Sequence, residues 1–261
     1  MVGNIQDNSL VSVITPAYNA EKFIASAIES VINQTYDHWE MIVTDDGSED
    51  QTVDIIAHYA EQDNRIRLIQ MGQNSGPARA RNAAIRQSKG RYIAFLDSDD
   101  LWSPEKLQEQ LKFMQQNNIS FCFTDYKRIS GTDSRYINTI RMPETITYKQ
   151  YLKNTIIGTS TTILDKAITG PVEMPLIYSS QDMALWCRLL RGGVKGYGFN
   201  KVLTTYRVVE NSHTANKFRA ALDVWRVYRK YEKLGVVSSL YYFIYYTFNA
   251  IMKRLKYRSE E

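Results

Sequence analysis

The sequence predicts an α/β fold in which helices cover both faces of a mainly parallel sheet. Short apolar runs alternate with amphipathic helical stretches over the first hundred residues, a pattern typical of parallel sheets. The 261 residues are 44% hydrophobic and 23% charged, the balance of a globular protein with a sizeable buried core. No repeat or flexible linker divides the chain, so we expect its two halves to share one continuous sheet.

The first half of the chain contains four predicted strands and four predicted helices. The strands are the apolar runs 11–14, 40–44, 66–69 and 92–96. The helices are expected to begin near Phe23, Ser48, Gly76 and Ser103. Gln51 follows Ser48 by three residues, as in a capping box, and Pro77 suits a first helical position.

After Asn118 the alternation becomes less regular. We expect strands at 121–128, 161–164 and 201–208, and helices at 148–153 and 181–190. The stretch 131–143 is polar and rich in turn-forming residues, so it is predicted to be irregular.

The positive charge of the chain is concentrated at its C-terminal end. The net charge is +4, yet residues 217–261 hold 10 basic and 4 acidic residues, whereas residues 1–216 hold 22 and 24. A nucleic-acid-binding domain would carry a basic face on its folded body, so this distribution argues against nucleic acid as a partner. Cys122 and Cys187 are too few for a disulfide framework or a thiolate zinc cage.

Targeting signals are not evident in the sequence. The first ten residues lack the basic and apolar regions of a secretory signal. No apolar run reaches the roughly 20 residues that a membrane-spanning helix needs. We therefore expect a cytoplasmic protein.

Polar side chains follow each of the first four predicted strands, and ligands of open parallel sheets bind beyond such strand ends. These segments are Pro16-Ala17-Tyr18-Asn19, Asp45-Asp46-Gly47-Ser48, Asn74-Ser75-Gly76-Pro77 and Asp97-Ser98-Asp99-Asp100. Tyr18 offers a ring on which a base can stack, and Asp46 can accept a hydrogen bond from the imide N–H of uracil or from guanine. Arg79 and Arg81, near a helix N-terminus, suit a diphosphate. The alternative is that these strands end in ordinary polar turns.

The Asp97-Ser98-Asp99 triplet is the sharpest local signal. Two carboxylates one residue apart at a strand end can share a divalent cation, and hard oxygen ligands suit Mn²⁺ or Mg²⁺. His213, after the last predicted strand, is a candidate further ligand, although a lone histidine is more often structural.

Five segments together resemble glycosyltransferase family 2. They are VSVITPAYN (11–19), DDGSEDQT (45–52), NSGPARARN (74–82), YIAFLDSDDLW (92–102) and SQDMALWCRLL (180–190). The resemblance covers about residues 10–215. It implies the GT-A fold, a Rossmann-like sheet, and inverting, metal-dependent transfer of a sugar from a nucleotide-sugar, with a UDP-sugar expected. It also implies bacterial surface polysaccharide synthesis, such as O-antigen, capsule or a teichuronic-type polymer, on a saccharide or lipid-linked saccharide acceptor.

The resemblance assigns roles residue by residue. It puts Pro16, Tyr18 and Asp46 around the nucleotide and makes Asp97 a ribose or metal partner. Together with the residues singled out above, the expected nucleotide-binding residues are Pro16, Tyr18, Asn19, Asp46, Gly76, Arg79, Arg81, Asp97 and Ser98. Asp99 becomes the direct metal ligand, with Asp97 beside it, and Asp182 becomes the general base. The family usually has an acidic residue at the position of Gln181, a departure that bears on how Asp182 is oriented.

The same assignment divides the chain into three parts. Residues 1–105 form the donor half, residues 106–215 the acceptor half of the same domain, and residues 216–261 a basic appendage of amphipathic helices.

Asp182 has the properties of a general base. It is expected at the start of a helix, where the dipole favours the ionised carboxylate that can take a proton from an acceptor hydroxyl. One base without a protein nucleophile fits direct displacement with inversion. The alternative is that Asp182 only stabilises its helix.

The C-terminal segment predicts a helix at a membrane surface. Residues 236–252 carry no charge and include four tyrosines, and Lys253, Arg254, Lys256 and Arg258 follow. Such a helix, from 236 to 258, would make peripheral contact with the inner face of the cell membrane. The alternative is a helix pair packed on the domain or on a second subunit of a homodimer.

Two other functions compete with a glycosyltransferase. A sugar-1-phosphate nucleotidyltransferase would carry a glycine-rich loop with a basic residue after the first strand, where Pro16-Ala17-Tyr18-Asn19 stands. A non-catalytic nucleotide-sugar-binding protein would not need Asp99 and Asp182 together.

Overall fold

A computed structural model describes residues 8–131, 133–177, 179–209 and 217–258. The strands are β1 (Val11–Ala17), β2 (Trp39–Asp45), β3 (Ile66–Gln70), β4 (Tyr92–Phe95), β5 (Leu101–Trp102), β6 (Phe121–Ser130), β7 (Tyr136–Ile140), β8 (Thr145–Ile146), β9 (Ile163–Asp165) and β10 (Gly196–Val208). The α-helices are α1 (Ile24–Ile32), α2 (Thr52–Gln62), α3 (Pro77–Gln87), α4 (Lys106–Gln116), α5 (Tyr148–Lys153), α6 (Lys166–Thr169), α7 (Gln181–Arg191), α8 (Lys217–Arg226) and α9 (Val236–Arg258).

The ten strands of the described residues form one continuous sheet in the order β3-β2-β1-β4-β9-β6-β10-β5, with β7 on β6 and β8 on β10. β1 lies between β2 and β4 and is parallel to both, and β2 is parallel to β3. β9 runs antiparallel to β4 and β6, and β6 is parallel to β10. The sheet is therefore shared by both halves, as predicted, and the carboxyl ends of β1–β4 meet at one edge.

Both faces of this sheet are buried under helices. In β4, Tyr92 and Ala94 point into one apolar cluster, and Ile93 and Phe95 point into the cluster on the other face. Alternation of this kind follows from the two-residue period of a strand. Trp186 of α7 packs against Phe95, with 5.8 Å between ring centroids, and so joins the second half of the chain to β4.

The expected start of the second helix is wrong. α2 begins at Thr52, and no capping box forms at Ser48. The Ser48 hydroxyl instead donates to the Asp45 carboxylate and accepts the Asn19 N–H at 2.9 Å. Asp45 competes for the serine because it also accepts the Ser48 N–H at 3.1 Å, which closes a turn before the helix can begin.

The expectation of an irregular segment at 131–143 is also wrong in part. β7 lies within it and pairs antiparallel with β6 from Tyr126↔Ile140 to Ile129↔Tyr136. Asn138 and Ile140 on one face of β7 are buried, whereas Ile137 and Thr139 on the other face are half-buried, because β7 lies at the margin of the sheet.

The C-terminal helix α9 packs on the domain along one face. Tyr242, Phe243 and Tyr246 lie against the core, and the Asn249 side-chain amide donates to the Lys153 carbonyl at 3.0 Å. The opposite face exposes a second apolar stripe, of which Val237 is 84% exposed. No helix among the described residues has the length and apolar character to cross a membrane.

Candidate active site

The carboxyl ends of β1, β2 and β4 place the predicted nucleotide-binding residues along one edge of the sheet. Tyr18 follows β1 with 42% of its surface exposed, so its ring is accessible to a base. Asn19 next to it adopts a positive φ of 47°, and its side-chain oxygen accepts the Glu49 N–H at 2.9 Å. Asn19 thus ties the loop after β1 to the loop after β2. Pro16 is half-buried within β1.

Asp46 holds the loop that precedes α3. Its two carboxylate oxygens accept the backbone N–H groups of Ser75 and Gly76, at 2.8 and 2.7 Å. Gly76 has φ 92°, a conformation that suits glycine, and it stands directly before Pro77 at the start of α3. Asp46 is therefore buried against backbone donors, and a nucleotide base would meet its remaining lone pairs.

The two arginines of α3 occupy different environments. Arg79 is exposed to solvent. Arg81 is buried, and its Nη2 donates to the Asp97 carboxylate in an ion pair. The Nε and Nη1 atoms of Arg81 are buried without a hydrogen-bond partner in the described structure. Arg81 therefore carries unused donors beside the acidic triplet.

Three carboxylates cluster at the end of β4. Burial, and then the charge of Asp97, raise the pKa of Asp99 to about 6. Burial and the charges of Asp99 and Asp97 raise the pKa of Asp100 well above its usual range. Ser98 between them is half-buried. Crowded carboxylates of this kind are relieved by a bound cation.

Asp97 and Asp99 fit a hard divalent cation by their chemistry. Their carboxylate oxygens are the ligands that Mn²⁺ and Mg²⁺ prefer, and Mg²⁺ is commonly held by one or two carboxylates together with substrate phosphates. Within the described ranges, no three His, Cys, Asp or Glu side chains are grouped so that they could hold a metal ion by themselves, so a cation on Asp97 and Asp99 would need further ligands from the substrate. His213, the candidate further ligand, lies outside the described residues.

Asp100 connects the cluster to the second half of the sheet. Its carboxylate accepts the Ser160 hydroxyl at 2.6 Å and the Arg207 backbone N–H at 3.0 Å. The Arg207 guanidinium stacks on Phe23 at 5.3 Å and its charge opposes the rise in the pKa of Asp99. Arg207 of β10 therefore adds a second positive charge beside the cluster, in addition to that of Arg81 in α3.

Asp182 lies in the first turn of α7, as predicted, after Ser180 in a left-handed conformation with φ 59°. Its Oδ2 accepts the Thr159 hydroxyl at 2.9 Å. Thr159 is followed directly by Ser160, which bonds Asp100. Two adjacent residues thus connect Asp182 to Asp100, one of the carboxylates that follow β4.

The sequence analysis did not single out Thr159, Ser160 or a role for Asp100. Hydroxyl residues carry no periodic or spacing signal, and Asp100 was visible only as the end of an acidic run. A prediction of which segment packs against the end of β4 would have been needed to find them.

Comparison with known proteins identifies the family. Residues 12–169 match the model of Glycosyl transferase family 2. The chain is 45% identical over 246 residues, 94% of this chain and 98% of the relative, to the putative teichuronic acid biosynthesis glycosyltransferase TuaG of Bacillus subtilis. It is 36% identical over 248 residues, 95% of this chain and 96% of the relative, to an Escherichia coli protein named UDP-Glc:alpha-D-GlcNAc-diphosphoundecaprenol beta-1,3-glucosyltransferase WfgD.

Among solved structures, S. aureus TarS 1–349 in complex with UDP-GlcNAc matches with a TM-score of 0.69. The sequences are 24% identical, and the match covers 84% of this chain and 64% of that chain, so the likeness concerns the fold. The family match and the relatives settle the family, and the structural likeness settles the fold. The chain belongs to glycosyl transferase family 2 and has the GT-A fold.

Proposed function

We propose that this chain is an inverting glycosyltransferase that moves a sugar from a UDP-sugar to a hydroxyl of a lipid-linked saccharide. One observation carries the proposal: Thr159 and Ser160, adjacent in sequence, bond Asp182 and Asp100 at 2.9 and 2.6 Å. The expected base and Asp100, which follows the proposed ligands Asp97 and Asp99, are thereby held by neighbouring residues of one turn. A protein that only bound nucleotide-sugars would have no use for this pairing.

The donor would lie across the carboxyl ends of β1, β2 and β4. The ring of Tyr18 stacks on uracil, and Asp46 accepts its imide N–H. Arg79, which is exposed, and Arg81, whose guanidinium is buried beside Asp97, would supply positive charge for the diphosphate. Pro16, Asn19, Gly76, Asp97 and Ser98 line the same edge. Residues 1–105 then act as the donor half and residues 106–215 as the acceptor half.

Asp99 and Asp97 would hold Mn²⁺ or Mg²⁺. When bound, this cation supplies Lewis-acid stabilisation of the negative charge on a departing diphosphate. Arg81 and Arg207 add positive charge next to the same group. The acidic cluster alone would repel a diphosphate, so the two arginines and the cation serve one electrostatic purpose.

Asp182 would take the proton of the acceptor hydroxyl. The hydroxyl oxygen forms a bond to the anomeric carbon as the bond from that carbon to the phosphate oxygen breaks, and UDP departs with the electron pair. The proton passes to the Asp182 carboxylate. Because a single displacement attacks from the side opposite UDP, the anomeric configuration inverts.

The names of the relatives favour UDP-glucose as the donor and a GlcNAc-diphospholipid as the acceptor. The Escherichia coli relative is named for these substrates, and the Bacillus subtilis relative is named for teichuronic acid synthesis. The proposal is therefore a role in bacterial surface polysaccharide synthesis, at the cytoplasmic face of the membrane.

The substitution Asp182→Asn tests the role of the base. We expect glucose transfer from UDP-glucose to a short-chain GlcNAc-diphospholipid to fall by about 10²-fold or more, since a general base contributes about 10²–10⁴. UDP affinity, measured by calorimetry with Mn²⁺, should stay within twofold. Asp54→Asn is the matched control, because Asp54 is also an acidic residue in the first turn of a helix. Equal activity in Asp182→Asn and wild type would refute the assignment.

A donor panel tests the substrate. UDP-glucose, UDP-GlcNAc, GDP-mannose and NAD are compared by their effect on the thermal midpoint, with and without Mn²⁺. We expect stabilisation by UDP-sugars, increased by the cation. Stabilisation by GDP-mannose alone, or an effect independent of the cation, would contradict the proposed donor site.

The exposed face of α9 is proposed as a contact with an anionic membrane surface. Val237, Leu240, Ile244 and Phe248 recur at helical spacing and are all more than half exposed. The Lys153 ammonium lies over the rings of Tyr241 and Tyr245, at 5.1 and 4.5 Å. Residues 253–258 add four basic residues to the same helix. An apolar stripe with flanking positive charge matches a surface of anionic lipids.

Vesicle flotation tests this contact. The wild-type protein should float with phosphatidylglycerol vesicles and less with phosphatidylcholine, and Ile244→Ser with Phe248→Ser should abolish flotation. Ile168→Ser, at an exposed apolar residue of α6, is the control. Unchanged flotation of the double variant would overturn the proposal, and a concentration-dependent dimer lost in that variant would assign α9 to a homodimer instead.

A further inference from the structure

The Thr159–Thr161 turn contacts both Asp182, the expected base, and the acidic cluster that follows β4. The Thr159 hydroxyl donates to Asp182 Oδ2 at 2.9 Å, and the Ser160 hydroxyl donates to Asp100 Oδ2 at 2.6 Å. The Ser160 hydroxyl oxygen also accepts the Asp97 backbone N–H at 3.0 Å. Consecutive side chains of one turn therefore reach the expected base on one side and the acidic cluster on the other.

Carbonyl contacts from three other elements hold this turn in place. The Ser160 carbonyl accepts the Trp102 indole N–H at 2.8 Å. The Thr161 carbonyl accepts the Lys106 ammonium at 3.2 Å and the Gln110 amide at 3.0 Å. These donors come from β5 and α4, and the Thr204 hydroxyl of β10 also reaches the Ser160 carbonyl at 3.3 Å. Because its consecutive carbonyls are hydrogen-bonded to other elements, the backbone of this turn is fixed, and its side chains are held in defined positions.

The backbone before Asp182 offers less support. Ser180 adopts the left-handed conformation and α7 starts directly after it, without a side-chain cap. The Asp182 carboxylate is half-buried, and its torsion about the Cβ–Cγ bond is broad for a free aspartate. The hydrogen bond from Thr159 to Oδ2 restricts that rotation.

We propose that Thr159 is a positioning residue for Asp182, and that the turn sets the distance between the base and the donor. This inference rests on the proposed function, because it takes Asp182 as the base. Ser160 has the corresponding role for the donor end, through Asp100 and the Asp97 N–H. Loss of the Thr159 hydroxyl should therefore slow turnover, and loss of the Ser160 hydroxyl should weaken donor binding.

The test compares Thr159→Val, which keeps the shape of threonine, with Thr159→Ser, which keeps the hydroxyl. We expect Thr159→Val to lower kcat for glucose transfer from UDP-glucose by about 10-fold or more, because small displacements of a reacting group are costly. Its KM for UDP-glucose should stay within twofold. Thr159→Ser should recover most of kcat, and Ser160→Ala should raise the KM for UDP-glucose.

Thr124→Val is the matched control for a buried threonine. Its hydroxyl is buried without a hydrogen-bond partner in the described part of β6, so valine removes no contact. A kcat for Thr159→Val within twofold of wild type would overturn the inference. Equal losses in Thr159→Val and Thr159→Ser would also overturn it, because the methyl group or the packing would then matter rather than the hydroxyl.

Asp182→Asn separates this inference from the proposed function. Full activity of Asp182→Asn would show that Asp182 is not the base, and it would refute the positioning role of Thr159 as well. An inactive Asp182→Asn together with an active Thr159→Val would leave the proposed function intact and refute only the positioning role. Calorimetry of UDP binding confirms in Asp182→Asn and in both Thr159 variants that the donor site has folded, and an unchanged thermal midpoint does so for Ser160→Ala.

Discussion

Lys106 is a fully buried lysine directly beneath the Thr159–Thr161 turn. Its Nζ donates to Gln110 Oε1 at 2.6 Å and to the Thr161 carbonyl at 3.2 Å, and lies 5.0 Å from the centre of the Trp102 ring. Burial lowers the pKa of the ammonium from 10.5 to about 7, a fall that the nearby Cys122 only partly opposes. The substitution Lys106→Met should therefore change how the stability of the fold depends on pH.

The sign and size of the effect follow from proton binding. Between pH 7 and 10.5 the unfolded chain holds a proton on this lysine that the folded chain has lost, so wild-type stability rises with pH across that window. With about 1.4 kcal/mol for each pH unit, the cost of burying Lys106 is about 5 kcal/mol at pH 6 and about 2 kcal/mol at pH 9. Methionine fills a similar volume and has no proton to lose.

The assay is urea unfolding at pH 6 and pH 9, followed by tryptophan fluorescence. The gain in the free energy of unfolding of Lys106→Met over wild type should be about 3 kcal/mol larger at pH 6 than at pH 9. At both values Gln110 Oε1 loses its donor, which costs about 1–3 kcal/mol and cancels in the comparison. Lys201→Met, at an exposed ion pair with Glu109, is the control. An equal difference at the two pH values would refute the argument.

Three further substitutions test two contacts of the site and one close backbone approach before β4. Asp46→Ala leaves two loop N–H groups without their acceptor, so we expect a loss of about 2–4 kcal/mol in urea unfolding and a raised KM for UDP-glucose; unchanged values in both would contradict the anchoring role. Gly90→Ala would place a Cβ 2.6 Å from the Leu10 carbonyl oxygen, so the thermal midpoint should fall, whereas an unchanged midpoint would show that the backbone can yield. Asp100→Ala frees the Arg207 N–H and should reduce UDP affinity in calorimetry; wild-type affinity would separate Asp100 from the donor site.

The parallel half of the fold was predictable because its signals are local. Each strand of that half is an apolar run, and the helices between them carry apolar residues at helical spacing. Parallel pairing then requires that the segments after β1, β2 and β4 meet at one edge. The edge that we propose to bind the nucleotide thus follows from patterns that each span fewer than about 20 residues.

Competition between side chains explains where prediction failed. The capping-box pattern at Ser48 was present in the sequence, but the Asp45 carboxylate captured both its N–H and its hydroxyl. β7 was missed although Tyr136, Ile137, Thr139 and Ile140 are good strand formers, because the polar and turn-forming residues on either side of this short run dominated the prediction. At Ser48 a nearby partner, rather than the local sequence pattern, decided the structure.

The catalytic geometry proposed here depends on contacts between distant parts of the chain. Ser160 lies 60 residues from Asp100, and Thr159 lies 23 residues from Asp182. The Thr159–Thr161 turn is itself held by hydrogen bonds from Lys106 and Gln110 to the Thr161 carbonyl, across 55 and 51 residues of sequence. Such contacts form only when β4, β9 and α4 are packed together, so no local motif can encode the position of the base. The sequence therefore points to candidate carboxylates such as Asp99 and Asp182, whereas Thr159 and Ser160, which contact Asp182 and Asp100, emerge only from the fold.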